Sequence, residues 1–192
     1  LLILGTVVSL IGWMAIYPGD DSATAESAAK LMADPTLAKL GMLMGFGGMG
    51  AVFIGFLNIS RKMAAGDGAG SSYANISAIM AMTLVVMMAI GIGIEWAVTE
   101  ASDATEGARL MLHSAAIQTP FNLASGLLMV LLGIGIILEK NFHIIIGGLA
   151  VVAGAGFLLG NVDAIDVAGF AGWIGLNLVA LALGVQTLRS KS

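Results

Sequence analysis

Cysteine is absent from the 192 residues, which excludes disulfides, thiolate metal sites and thiol catalysis together. Charge is nearly as scarce, at 10% of residues where a soluble globular domain carries about a quarter. No basic cluster occurs and the net charge is −4, so nucleic acid, whose binding depends on neutralised phosphates, is excluded as a partner. Phosphate-cradling loops, a nucleophile elbow and paired-histidine metal motifs are missing too. The sequence assigns no catalytic residue, no metal and no cofactor. A lipid is a ligand class that the composition leaves open.

What fills the chain instead is apolar: 58% of residues are hydrophobic and the mean hydropathy is +0.99. Six apolar runs are read as membrane spans, at residues 1–17, 37–59, 75–98, 120–138, 143–160 and 167–188. Lipid admits only helices or closed barrels, and these runs are continuous rather than alternating, so they are helices. The first residue is leucine, and a few residues are expected upstream of it. A cleaved signal peptide is not expected, because no basic segment precedes the first run and no small-residue cleavage site follows it.

The punctuation between runs is local. Pro18-Gly19-Asp20-Asp21 ends the first, and Asp21 or Ser22 is expected to cap a short polar helix that reaches Lys30. Asp34-Pro35 opens the second span, with aspartate as the cap and proline in the first helical position. Arg61-Lys62 closes it. Residues 66–72 are a glycine-serine linker. A second polar helix is expected over residues 100–109, with Thr119-Pro120 opening the fourth span.

The expected fold is therefore all-α: a single polytopic membrane bundle over residues 1–192, six helices in three hairpins, with short amphipathic helices on the first and second outer loops. Residues 1–62 and 75–140 read as an internal repeat whose second copy carries an insertion at 113–118, and 143–188 forms the third hairpin. Arg61, Lys62, Lys140, Arg189 and Lys191 lie on the side that holds both termini, which the positive-inside rule makes cytoplasmic. The acidic loops face outward from the cell membrane.

Small residues mark the expected packing faces: Gly47, Ala51 and Gly55 in the second span, Gly156 and Gly160 in the fifth, Ala168 and Gly172 in the sixth. Such faces let helices approach closely where water supplies no driving force. Asn58 and Asn177 are expected to hydrogen-bond to neighbouring helices. The methionines of the second and third spans offer a polarizable apolar lining.

Glu95 is the most informative residue, since a carboxylate within a span is expensive. Its expected partners are His113 and a stripe formed by Gln118, Asn122 and Ser125, which share one helical face. Together they would form a polar pocket in the outer leaflet.

Pro18-Gly19-Asp20 with Ala23-Thr24-Ala25, residues 37–40, and the run Ile145-Ile146-Gly147-Gly148-Leu149-Ala150 through Phe157 resemble an uncharacterised bacterial family of small six-helix membrane proteins. The resemblance implies a fold and supplies no activity. The functional expectation is a non-catalytic accessory or scaffold subunit that packs in the bilayer against itself or other membrane subunits. The alternative is a channel or carrier for a small or apolar solute, or a lipid, through the cavity near Glu95.

Overall fold

The computed structural model describes residues 1–19, 23–162, 165 and 167–189. Among these residues all regular structure is helical. In order the helices are α1 (Leu2–Ile11), continued by a π-helical turn (Gly12–Ile16), α2 (Ala25–Ala33), α3 (Pro35–Ala64), α4 (Ser71–Val98), α5 (Ala104–Glu139), α6 (Ile144–Leu159) and α7 (Val167–Arg189).

The ends follow from local chemistry. Tyr17 leaves the π turn in an extended conformation, φ −67 and ψ 121, as the residue before a proline is biased to do. Thr24 caps α2 by accepting from Ser27 N at 3.2 Å; Asp21 and Ser22, expected in that role, lie outside the described residues. Asp34 caps α3 as expected, its Oδ1 accepting from Leu37 N at 2.9 Å, with Pro35 next to it. The imidazole of His143 caps α6 by accepting from Ile145 N at 3.3 Å.

Two expectations need correction. The second polar helix is not a separate element: α5 runs unbroken for 36 residues through Pro120. A mid-helix proline forfeits only its own N–H bond and displaces one carbonyl, which a long apolar helix tolerates. Asp103 starts α5 by accepting from Thr105 N and Glu106 N, and Glu106 returns to accept from Ser102, so the polar turns are nucleated upstream of the proline. Residues 113–118 are accordingly ordinary turns of this helix.

The expectation of six spans is met in part. Four helices, α3, α4, α5 and α7, are long and apolar enough to cross a membrane, which marks the chain as a helical membrane protein. The segments Leu2–Ile16 and Ile144–Leu159 are apolar but shorter. The 16 residues of α6 reach roughly 24 Å at about 1.5 Å each, against a hydrocarbon core of about 30 Å.

The chain forms two compact units. The first comprises Leu1–Ile3, Ala51–Val85 and Pro120–Ser192. In it α6 lies close against α7: a methyl group on Gly156 would lie 2.8 Å from Ala168 O, and one on Gly172 would lie 2.7 Å from Phe157 N. Gly160 meets the backbone of Gly169 in the same way. Against α5, Gly126 faces Gly154 and Gly133 faces Gly147. Large side chains, among them Phe53, Leu128, Met129 and Leu176, fill the space so defined. Ser60 and Ser77 share a buried hydrogen bond of 2.9 Å between α3 and α4. Glu139 accepts from Gly70 N at 2.8 Å and sits where side chains on Gly68 or Gly70 would stand, so the linker is wrapped around a carboxylate.

The second unit comprises Leu4–Gly50 and Val86–Thr119. Its core is Ala28, Leu31, Ala38, Met42, Val98 and Met111, flanked by Tyr17 and Phe46. The second correction arises here. Gly47, placed on a packing face by its spacing from Ala51 and Gly55, is exposed, and a methyl group on it would meet nothing within 4 Å. In the first unit Gly55 meets Leu2 of α1; in this unit Gly48 meets Gly5 and Ser9 of α1, Gly45 meets Trp13 of the π turn and Gly41 meets Tyr17. The last two let Trp13 and Tyr17 lie against the backbone of α3, where Trp13 packs edge-on to Tyr17 at 4.8 Å and to Phe46 at 4.7 Å. Ser9 seals the contact by donating to Gly45 O at 2.9 Å.

Candidate functional site

Glu95 stands near the end of α4, in the second unit, and is partly buried. Its Oε2 accepts from the Tyr17 hydroxyl at 3.0 Å and its Oε1 accepts from the Ser114 hydroxyl at 3.2 Å. Three elements are needed to build this arrangement. The π turn and Pro18 deliver Tyr17, α4 delivers the carboxylate, and the continuous α5 delivers Ser114. Hydrogen bonds to both carboxylate oxygens offset part of the cost of withdrawing the group from water.

The expected pocket is differently composed. His113 is exposed, and its neighbour Ser114 supplies the donor. Gln118 is exposed, Asn122 half-buried and Ser125 fully buried, so the stripe passes from the surface inward. Asn122 and Ser125 belong to the first unit, and Glu95, His113 and Gln118 to the second. Ser125 Oγ and Asn177 Oδ1 are buried without a hydrogen-bond partner, while Asn177 Nδ2 donates to Trp173 O in its own helix at 2.8 Å. Asn58 is exposed, contrary to the expectation of an interhelical bond. Sequence reasoning missed Tyr17. The signal was there, since a phenol at the end of an apolar run needs a hydrogen-bond partner once its ring is packed.

Beyond Glu95, the chain turns out of α4 and a second polar cluster forms. Lys39 donates to Glu100 at 2.7 Å and lies 4.8 Å above the centre of the Trp96 ring. The Lys39 hydrogen bond, followed by its charge, holds the Glu100 carboxyl below its ordinary value of 4.5. A carboxylate whose folded pKa is depressed contributes stability above its unfolded pKa and loses it as pH falls through the folded one. Glu100→Gln is therefore expected to lower thermal stability at pH 7, with the two proteins converging only below pH 4.5; melting curves across that range check it.

Chemically, the Glu95 arrangement can hold a proton or a hydrogen-bonding group and can brace helices. Among the described residues no three histidine, cysteine, aspartate or glutamate side chains come together as a metal site would require. Comparison of the chain with protein-family models, with curated proteins and with solved structures finds no match.

Proposed function

We propose that the chain is a non-catalytic integral membrane bundle, an accessory or scaffold subunit of a homo-oligomer or of a larger membrane complex. The observation that carries this reading is the use made of Glu95. Its two oxygens are engaged by hydroxyls from two other elements, so the costliest side chain in the apolar helices serves as a joint. In the same reading the segments Leu2–Ile16 and α6 cross the bilayer with the four longer helices. Arg61, Lys62, Lys140, Arg189 and Lys191 then place both termini in the cytoplasm and the acidic loops outside.

The test is size. Light scattering on the chain extracted in mild detergent should give a protein mass of at least twice 19.5 kDa, or a co-purifying membrane subunit. A strictly monomeric, partner-free particle contradicts it.

A second reading, a channel or carrier for a small or apolar solute or a lipid, is favoured by the position of Glu95 inside an apolar helix, where a carboxylate ordinarily marks a pathway. It requires Glu95→Gln to change flux in liposomes.

A further inference from the structure

We propose that Lys39, Trp96 and Glu100 form a seat for one phospholipid with a zwitterionic, ammonium-bearing headgroup, its acyl chain lying along α3. The inference rests on α3 and α4 crossing a bilayer. It is independent of protein partners and of transport.

The charge arrangement selects the headgroup. Lys39 is held at 2.7 Å from Glu100 and 4.8 Å over the indole of Trp96, which fixes a positive and a negative group side by side where α4 ends. A tryptophan at that position lies at headgroup depth in a spanning helix. One of the three N–H donors of Lys39 goes to Glu100, and the ammonium keeps donors for a phosphate oxygen. The Glu100 side chain is 61% exposed and can receive an ammonium. A zwitterionic headgroup laid antiparallel to this pair satisfies both charges, phosphate to Lys39 and ammonium to Glu100. A purely anionic headgroup would bring its net charge against Glu100, and a cation would meet Lys39.

The tail has a place to go. Leu43, Gly47 and Gly50 follow Lys39 on the same face of α3, at i+4, i+8 and i+11. Leu43 is 52% exposed, and methyl groups on Gly47 or Gly50 would meet nothing within 4 Å. The two glycines leave open space on this face of α3, where no side chain stands. Apolar burial there adds retention without headgroup preference.

The experiment is native mass spectrometry of the full chain in detergent, equilibrated with equal amounts of phosphatidylethanolamine and phosphatidylglycerol of matched chains. The wild type should retain the ethanolamine lipid about fivefold over the glycerol lipid, the ratio that one exposed charge pair at the upper end of its usual strength provides. Glu100→Gln should bring the ratio to about one, because it removes the ammonium partner and the repulsion of the anion together. Gly47→Leu should lower retention of both lipids while leaving helicity and size unchanged, since it fills open space. Equal retention of the two headgroups by the wild type would mean ordinary surrounding lipid and would overturn the proposal. So would Glu100→Gln and Gly47→Leu proteins that both bind like the wild type.

Discussion

Alanine at Gly48 and alanine at Gly47, adjacent positions of one helix, should move stability in opposite directions. A methyl group on Gly48 would lie 2.6 Å from Gly5 O and 2.8 Å from Ser9 Cα. These are backbone atoms of α1 and cannot rotate away. Overpacking of this kind costs about 1–3 kcal/mol, offset in part by the roughly 0.5–1 kcal/mol gained when glycine leaves a helix interior. The methyl group of Gly47→Ala meets nothing, so only the gain of about 0.5–1 kcal/mol remains. Gly172→Ala, confronted by Phe157 N at 2.7 Å and Ala153 O at 2.9 Å, should follow Gly48→Ala. Reversible unfolding in mixed micelles, read by circular dichroism, measures all three. If Gly47→Ala and Gly48→Ala shift together, α1 does not pack on α3 as described.

The second large effect is expected at Glu95. Glu95→Ala removes the acceptor of both the Tyr17 and Ser114 hydroxyls, and stranding partly buried donors costs about 1–3 kcal/mol. Tyr17→Phe removes one donor and keeps the ring against Trp13, so its cost isolates the hydrogen bond. A double-mutant cycle between Tyr17→Phe and Glu95→Ala should return a coupling of about 0.6 kcal/mol, and at most about 1.7, the range found for side-chain bonds between membrane helices. Additive single mutants would mean that the two residues do not share a bond. His113→Ala, at an exposed position, should leave stability within about 0.5 kcal/mol of the wild type.

These two sites also show what the sequence could and could not reveal. The start of α3 was legible because its cause is local and typical: Asp34 accepts from a residue three positions on and Pro35 follows it. The apolar runs likewise announced their helices, because a continuous hydrophobic stretch needs no knowledge of its neighbours. Pro120 misled for the converse reason. A proline is a strong local stop signal, but α5 is nucleated upstream at Asp103 and packs Met111 into the second unit's core, and this outweighs one lost hydrogen bond. Glycine faces were half legible. The pair Gly156 and Gly160 does approach α7, whereas Gly47 points to open space and Gly48, one residue on, carries the contact. Periodicity finds a face without saying which neighbour lies against it. The need of Tyr17 and of Glu95 for a hydrogen-bond partner is legible locally, but their pairing is not, since the two lie 78 residues apart and only the folding of α1 against α3 joins them.

Labelling at the two ends of α6 tests most directly the proposed topology, in which the short apolar segments cross the bilayer with the four long helices. With no native cysteine, single substitutions Asn141→Cys and Val162→Cys, both at exposed positions, can be probed in intact cells with a membrane-impermeant maleimide. The account predicts that Val162→Cys labels in intact cells and Asn141→Cys only after permeabilisation. Labelling of both from the same side would contradict it, leaving α6 on one face of the membrane.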